Sequence, residues 1–339
     1  MATIRDIAKE AGISAGAVSR ILNNDATLSV SPETRQTVFD IAKRLNYTKP
    51  QKNSKNEKSS FTMGIVQWFS AEEELKDNYY LLTRKGIEDF CIKNAISIVR
   101  VFPGEDDAHS RLKHVDGLIC IGKFSQIEVQ EFISICQNIV FLDMPVEEYH
   151  ITSLSMDFKQ AVYCALDYLT GLGHSKIGFL GGLEYIGNHE LIKDARAVAY
   201  KNYMNHRDMD YKTYYKEGRF TSQSGYEMMC ELLESGNVPT AVFAASDAIA
   251  FGAMRAIQEH QLHIPEDISI IGFNDVETCS YMNPPLTTIH APAYDMGQHG
   301  ANLIYVASNL SIHTPLKAKI PCELIIRNSC AKLKGQVQN

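Results

Sequence analysis

The stretch that most limits the fold of this chain is residues 3–23, "TIRDIAKEAGISAGAVSRILN", where two short amphipathic segments flank "AGIS". The first segment places its apolar side chains on one face at helical spacing, and Thr3 with Asp6 forms an N-terminal capping pattern. Gly12 suits the left-handed residue that ends a helix, and Ser14 can cap the second helix. Because the turn is short, the pattern predicts either a helix-turn-helix or an ordinary helical hairpin.

A third amphipathic segment, "VSPETRQTVFDIAKRLNY", follows, and it starts with a Ser31–Pro32 cap. Three helices within fewer than fifty residues form a very small core, which is typical of a module that binds another molecule. Residues 1–60 hold ten Lys and Arg against six Asp and Glu, a net charge of +4, whereas the remainder holds 23 against 34, a net of −11. The basic end of an acidic chain therefore indicates contact with phosphates.

These segments resemble the DNA-binding headpiece of the lactose/galactose repressor family over nearly fifty residues. The resemblance lies in the ordered elements "AGIS", "VSR", the Leu-Asn pair and the terminal "LNY". It implies a helix-turn-helix DNA-binding domain over residues 1–47, hereafter the headpiece, followed by a hinge or linker over 48–60.

The start of the second helix of a helix-turn-helix faces base edges in the major groove. Arg20 can bind guanine with two hydrogen bonds, although a phosphate contact or a salt bridge to an acid of the first helix is an alternative. Ala15 and Gly16 offer no hydrogen bond, so we expect a recognition helix that depends more on DNA shape and half-site spacing. The predicted DNA-binding residues are Thr3, Ser14, Ala15, Gly16, Ser19, Arg20, Asn23, Ser29 and Tyr47.

The linker "TKPQKNSKNEKSS" is polar and rich in lysine. A flexible, solvated linker is one interpretation. The family resemblance implies a hinge helix that presents a leucine to the minor groove, but this segment has no leucine. Its four lysines could still contact phosphates.

From residue 61 onward, apolar runs alternate with segments of helical spacing. Strands that are apolar on both faces and alternate with helices indicate parallel sheets built from βαβ units, here two doubly wound lobes with a cleft between them. The predicted strands are "FTMGIVQWF", "AISIVRVF", "VDGLICIG", "NIVFLDM", "SKIGFLGG", "PTAVFAASD" and "DISIIGFND".

Further segments, among them "LTGLGHSKIGFLGG", "ASDAIAFGAMRAI" and "IPEDISIIGFND", resemble the effector domain of the same family, which is similar to periplasmic sugar-binding proteins. The resemblance implies an effector-binding and dimerisation domain over 61–330 and a polar tail over 331–339. It also implies an N-lobe of about 61–160 plus 292–320 and a C-lobe of about 161–291 plus 321–330.

Ligands of such sheets bind at the carboxyl ends of the strands, so polar side chains at those ends are the candidates for a sugar site. The resemblance places Arg196, Ser246 and Asn274 at effector-contacting positions, although the family often has Asn and Asp at the last two. An alternative for Asp247 is that it only caps its helix. The predicted effector-binding residues are Arg196, Ser246, Asp247, Asn274, Asp157 and Asp77.

Eight cysteines are scattered without a C-x-x-C or Cys/His cluster, and no nucleophile–base set is evident. We therefore expect reduced cysteines, no metal, no cofactor and no enzymatic activity. No apolar run approaches the roughly 20 residues needed to span a bilayer. With no segment that resembles a signal peptide, we expect a cytoplasmic protein without a membrane partner.

Together these features predict a homodimeric repressor that binds a pseudo-palindromic operator and responds to a small sugar. The resemblance favours galactose or a β-galactoside, with another sugar or a phosphosugar as alternatives. A solute-binding protein and a sugar enzyme of the same two-lobe fold are the other functions to consider.

Overall fold

The structure is a computed structural model, and it describes residues 3–22, 25, 28, 30–45, 47, 61–70, 78–102, 104–147, 149–187, 190–310 and 314–333. Contacts divide the chain into two compact units, Met1–Ser59 and Ser60–Asn339. The predicted linker, residues 48–60, lies outside the described residues.

The described residues of the first unit contain three helices, α1 (Ile4–Ala11), α2 (Ala15–Leu22) and α3 (Pro32–Arg44). The predicted capping box at the start of α1 and the left-handed Gly12 at its end, with φ of 66°, are confirmed. The predicted inward faces also form the core, whose buried residues are Ile7, Ala8, Val18, Ile21, Val38, Ile41 and Ala42.

The first sheet of the second unit has six parallel strands among the described residues. They are β1 (Thr62–Gln67), β2 (Ser97–Val101), β3 (Gly117–Ile121), β4 (Ile139–Leu142), β5 (Thr152–Met156) and β13 (Lys317–Ile320). Their order across the sheet is β13–β5–β4–β3–β1–β2, so the chain returns from its C-terminal part to add the edge strand.

The second sheet also has six strands in the described part of the chain. They are β6 (Ile177–Gly182), β9 (Tyr215–Gly218), β10 (Ala241–Ala244), β11 (Ser269–Asn274), β12 (Thr287–His290) and β14 (Glu323–Ile325). Their order is β14–β12–β11–β10–β6–β9, and only the β12–β14 pair is antiparallel. A two-stranded antiparallel hairpin, β7 (Glu184–Ile186) with β8 (Glu190–Ile192), follows β6.

Helices cover both sheets and complete two lobes. The N-lobe carries α4 (Tyr79–Lys93), α5 (Ala108–Leu112), α6 (Gln126–Ile135) and α11 (Ala293–Leu310). The C-lobe carries α7 (Phe158–Gly171), α8 (Ala195–His206), α9 (Ser222–Glu234), α10 (Asp247–Glu259) and the 3-10 helix Glu277–Tyr281.

In each lobe, a glycine at the contact between two helices allows their backbones to approach closely. A Cβ at Gly86 of α4 would lie 2.0 Å from the Tyr294 carbonyl oxygen of α11. In the C-lobe, a Cβ at Gly225 of α9 would lie 2.1 Å from the Ile249 carbonyl oxygen of α10. Any side chain at either position would force the two helices apart.

The predicted fold class, two doubly wound lobes after a three-helix headpiece, is confirmed, and all seven predicted strands are present. The apolar pattern did not predict five strands of the two sheets, β5, β9, β12, β13 and β14. β9, β13 and β14 lie at sheet edges and carry charged residues, as in "YKEG" and "KAKI". β5 ("TSLSM") and β12 ("TTIH") lie inside their sheets but are rich in Ser and Thr. Edge strands need only one buried face, so their sequences lack a continuous apolar run.

Candidate functional site

The carboxyl ends of the two sheets enclose a cavity of about 20 Å³ between the lobes. The N-lobe contributes Phe69, Tyr79, Tyr80 and Asp143 to its lining. The C-lobe contributes Phe158, Glu184, Arg196, Phe220 and Asn274. The cavity therefore combines ionisable groups with aromatic rings from both lobes.

Arg196 is the buried cation of this cavity, and it lies in the first turn of α8. Its Nε donates to both carboxylate oxygens of Asp194 at 3.0 Å, and its Nη1 donates to the Ala245 carbonyl oxygen at 2.7 Å. The guanidinium carbon lies 5.3 Å from the ring centroid of Phe158 and 4.9 Å from that of Phe220. The guanidinium is thus fixed by an ion pair and by aromatic faces.

The pKa values of the Arg196–Asp194 pair move apart. Burial opposes the charged form of Arg196, but the carboxylates of Asp194 and Glu184 outweigh it and raise the pKa of Arg196. Burial would likewise raise the pKa of Asp194, but the charge and hydrogen bonds of Arg196 outweigh it and lower that pKa. Both groups are therefore charged at neutral pH.

A second ion pair joins the two lobes. Lys123 follows β3 in the N-lobe, and its Nζ donates to Oε2 of Glu184 in the C-lobe hairpin. Burial alone would lower the pKa of Lys123, but the surrounding carboxylates, Glu184 first among them, outweigh it and raise that pKa. Burial raises the pKa of Glu184 despite the nearby Lys123.

Asp143 provides the N-lobe carboxylate at the end of β4. It accepts hydrogen bonds from the Tyr79 hydroxyl at 3.2 Å and from the Tyr80 hydroxyl at 2.7 Å. Burial, and after it the Asp143 charge, raise the pKa of both tyrosines well above 10.0. The two phenols therefore remain neutral donors that hold the carboxylate in place.

Of the predicted effector-binding residues, Arg196 and Asn274 line the cavity. Asn274 ends β11 with φ of 111°, so its backbone leaves the strand in a conformation that few side chains adopt. Asp77 lies outside the described residues.

Ser246, Asp247 and Asp157 are near the cavity but do not line it. The Ser246 hydroxyl caps α10 by accepting from the Ile249 N–H at 3.3 Å, and Asp157 caps α7 by accepting from the Gln160 N–H at 3.2 Å. The Ser246 hydroxyl oxygen and Oδ1 of Asp157 are therefore engaged at the starts of helices.

Asp247 is 1% exposed, and its carboxyl is buried without lining the cavity. One oxygen accepts from the Thr288 hydroxyl at 2.6 Å, and the other from the Val276 N–H at 2.9 Å. Burial raises the pKa of Asp247 from 3.8 to about 7. Because Val276 lies two residues after Asn274, these bonds fix the turn that carries Asn274.

Several cavity residues were absent from the predicted set. Asp143 directly follows the predicted strand "NIVFLDM", so the strand-end rule that selected Asn274 could have selected it too. Tyr79, Tyr80, Phe158 and Phe220 lie on helices or loops, where an aromatic side chain in the sequence is equally typical of a core.

In the headpiece, the predicted DNA-binding residues fall into two groups. Ala15, Gly16, Ser19 and Arg20 lie on α2, whose first turn is capped by the Ser14 hydroxyl, 3.1 Å from the Ala17 N–H. Thr3 and Tyr47 lie outside α2. Thr3 belongs to the capping box of α1, and Tyr47 follows α3 and is partly buried against the core. Asn23 and Ser29 lie outside the described residues.

Arg20 is the exposed cation of α2. Its Nε donates to Oδ2 of Asp25 at 2.8 Å. The predicted alternative, a salt bridge to an acid of the first helix, therefore differs from the structure in its partner, because Asp25 follows α2. At an exposed site such a pair is weak, and it does not prevent Arg20 from contacting DNA.

Neither a metal centre nor a membrane span is seen in the described residues. No group of three or more His, Cys, Asp or Glu there could hold a metal ion. None of the described helices is long and apolar enough to cross a bilayer.

A helix-turn-helix unit joined to a two-lobe unit with a polar, aromatic interlobe cavity defines a DNA-binding regulator that responds to a small ligand. Two family models match this chain. "Bacterial regulatory proteins, lacI family" matches residues 3–50, and "Periplasmic binding protein-like domain" matches residues 166–330.

The HTH-type transcriptional regulator GalR of Streptococcus thermophilus is 36% identical over 331 residues, which cover 97% of this chain and 99% of that protein. The chain belongs to the LacI family of bacterial transcription regulators.

Two solved structures are similar along most or all of their length. The lac repressor dimer bound to operator and the anti-inducer ONPF has a TM-score of 0.69 at 25% identity, and the match covers 97% of this chain and 99% of that one. A LacI family regulator from Enterococcus faecium with bound ribose has a TM-score of 0.67 at 27% identity, and the match covers 80% of this chain and all of that one.

Proposed function

We propose that this protein is a homodimeric repressor of galactose or β-galactoside utilisation genes that is released from a pseudo-palindromic operator by the sugar. The observation that carries the proposal is the interlobe cavity, where a fixed arginine, a carboxylate and aromatic rings meet. No metal, further cofactor or catalytic step is part of this function, and the protein acts on the chromosome, in the bacterial cytoplasm.

The chemistry of the cavity suits a sugar. The Arg196 guanidinium can donate to two sugar oxygens, and the Asp143 carboxylate can accept from sugar hydroxyls. The rings of Phe158 and Phe220 can cover the apolar face of a pyranose. The ribose complex of a similar regulator supports a sugar as ligand, whereas the family likeness supports galactose in particular.

The lobes must separate before a sugar can enter. A cavity of about 20 Å³ holds roughly one water molecule, and a hexose is many times larger. A sugar that binds one lobe arrangement better than the other shifts the population toward that arrangement. The Lys123–Glu184 pair, which joins the lobes, is one of the contacts that such a change would alter.

Operator binding is assigned to Thr3, Tyr47 and the first two turns of α2. Arg20 binds guanine in the major groove, and the small Ala15 and Gly16 let the helix approach the base edges. A single headpiece of this size binds weakly, so two of them in a dimer contact both half-sites of a palindrome.

A gel shift on the DNA upstream of its own gene, with and without a panel of sugars, tests the proposal. We expect a shift without sugar and its loss with galactose or a β-galactoside. If the protein fails to bind DNA at low salt with or without any sugar of the panel, the proposal is wrong.

Site variants then locate the sugar response. Arg196→Ala should abolish release by the sugar while DNA binding remains. Because Arg196 is buried, Asn274→Gly provides a milder variant, since glycine accepts the positive φ and removes only the amide. Arg207→Ala is the matched control, because Arg207 follows the same helix but forms an exposed pair with Asp167. An unchanged response in both site variants would remove this cavity as the sugar site.

A further inference from the structure

A second, larger pocket lies in the same cleft, beside the central cavity. Its volume is about 560 Å³, and it shares Asp143 and Phe158 with the cavity. The lysines that line it are Lys123, Lys159, Lys193 and Lys319, so we refer to it as the lysine pocket.

Three of these lysines have no ion-pair partner among the described residues. Lys159, Lys193 and Lys319 are exposed, whereas Lys123 is engaged with Glu184. Lys159 lies in the first turn of α7, and Lys193 immediately precedes the N-cap of α8. Lys319 comes from the other lobe, on β13, paired in register with Ser155, which also lines the pocket.

The carboxylates of the lysine pocket are already engaged elsewhere. Asp194 is bound by Arg196, and Asp143 accepts from two tyrosine hydroxyls. Glu147 lies 3.7 Å from the Nζ of Lys317. The three exposed lysines therefore leave an excess of positive charge around the pocket.

Apart from its lysines and carboxylates, Ser155 and Asn202, the walls of the pocket are apolar. Met144 and Pro145 line it from the N-lobe, and Ile192 and Val198 line it from the C-lobe. Walls of this kind favour an organic ligand that carries an anionic group over a small hydrated ion, because apolar surface does not replace the hydration shell of an ion.

We propose that the lysine pocket binds the phosphate of a phosphorylated sugar whose ring lies at the Arg196 end of the cleft. The inference rests on the proposed sugar-responsive function and specifies the class of effector. Since Lys159 and Lys193 belong to the C-lobe and Lys319 to the N-lobe, one phosphate would contact both lobes and favour the lobe arrangement that accommodates the sugar phosphate.

Calorimetric titration of the full chain tests the inference. The ligands are galactose, lactose, their 6-phosphates and inorganic phosphate. The wild-type protein should bind a 6-phosphate about tenfold more tightly than its parent sugar. The preference should weaken at high ionic strength, because the lysines are exposed.

The variants assign the preference to the three lysines. The triple variant K159Q/K193Q/K319Q should bind sugar and sugar phosphate alike, whereas the triple lysine-to-arginine variant should keep most of the preference because it keeps the charge. Lys176→Gln is the matched control, because Lys176 is an exposed lysine at the amino end of β6, the edge of the sheet opposite the cleft.

The outcomes separate this inference from the proposed function. In one outcome, galactose or lactose binds the protein and releases it from DNA, but the sugar phosphates bind no more tightly. In another, the glutamine triple variant keeps the preference for the sugar phosphates. In either case the lysine pocket is not a phosphate site, and the proposed function stands. If inorganic phosphate binds as tightly as the sugar phosphates, the pocket does not recognise the sugar part of the ligand and the inference is wrong. If neither the sugars nor their phosphates bind, both proposals fail.

Discussion

The headpiece and the interlobe cavity each contain an arginine–aspartate pair of nearly the same length. Arg20 Nε lies 2.8 Å from Oδ2 of Asp25, and Arg196 Nη2 lies 2.9 Å from Oδ2 of Asp194. Their surroundings differ, since the headpiece side chains are 48% and 31% exposed and the cavity side chains 9% and 4%. Equal distances therefore do not imply equal energies.

Solvent decides what each pair contributes. An exposed pair is worth about 0–1 kcal/mol, so Arg20 can exchange Asp25 for DNA at little cost. A buried pair depends on both partners, because removing one leaves a charge without water or a counter-ion. The cavity pair therefore keeps Arg196 in one position, whereas the headpiece pair leaves Arg20 able to move.

Asp194→Ala should have the largest effect on stability. It leaves the Arg196 guanidinium buried without a hydrogen-bonded carboxylate, with Glu184 3.9 Å away and the charge of Asp143 further off. We expect a loss of about 3–5 kcal/mol in the free energy of unfolding. Urea unfolding followed by the fluorescence of Trp68, the sole tryptophan, measures it.

Asp167→Ala removes the exposed partner of Arg207 and provides the control, with an expected change below about 1 kcal/mol. A double variant that replaces both buried partners, Asp194→Leu with Arg196→Met, should recover part of the loss. Equal effects of Asp194→Ala and Asp167→Ala would mean that burial does not distinguish the two kinds of pair.

Asp247 tests the case of a buried carboxyl without a cation. No Lys or Arg of the described residues pairs with it, and burial raises its pKa to about 7. The neutral carboxyl stabilises the fold fully below the unfolded-state pKa of 3.8, and this stability is lost as the pH rises to about 7. The change should be on the order of 4 kcal/mol.

The measurement is the difference in unfolding free energy between wild type and Asp247→Asn at several pH values. Asparagine cannot ionise, but it can still accept from the Val276 N–H and donate to the Thr288 hydroxyl. The wild type should lose stability relative to the variant between pH 4 and pH 7.

Asp194 should behave oppositely, since its pKa is lowered and the stability that it contributes to the fold is lost on acidification. A constant difference would show that Asp247 is ionised throughout.

These contrasts also show what the sequence can predict. The headpiece is built from contacts between residues that are close in the sequence. Helical spacing, a cap and a glycine were therefore enough to place Thr3, Gly12 and α2. Seven strands were equally clear from their apolar runs, but the buried β5 and β12, which are rich in Ser and Thr, were not. In the cleft, the end of a predicted strand indicated Asn274 and the family resemblance indicated Arg196, but neither selected Asp143, which ends a strand in the other lobe.

The sequence could not distinguish Asp194 from Asp247. Both are acids at the start of a helix in the C-lobe, and both are buried. Asp194 faces the guanidinium of Arg196, two residues along the chain, whereas Asp247 faces a hydroxyl and an N–H that distant segments bring to it. The raised pKa of Asp247 therefore comes from burial in a tertiary environment that no local pattern contains.

Gly16→Ala should have a smaller effect, in the stabilising direction. An added Cβ would have only the Ser14 Oγ within 4 Å, at 3.9 Å, so it fits without strain. Replacing glycine inside an exposed helix should stabilise α2 by up to about 1 kcal/mol. Hydrogen exchange of the headpiece amides in the full chain measures it, and faster exchange in the variant would contradict the expectation.

Asp25→Asn should have the smallest effect on folding but a visible one on DNA binding. The side-chain ion pair with Arg20 is lost, while the Asp25 carbonyl oxygen still accepts from Arg35 at 3.4 Å. Stability should therefore change by less than about 1 kcal/mol. Operator affinity should rise about two- to fivefold, because a negative charge is removed and the ion pair between Arg20 and Asp25 is lost. Gel shifts at low and high salt measure this, with Arg20→Ala as the control that should weaken binding.

A fall in operator affinity for Asp25→Asn would mean that Asp25 holds Arg20 in the orientation that DNA requires. The exposed pair would then resemble the buried one in function.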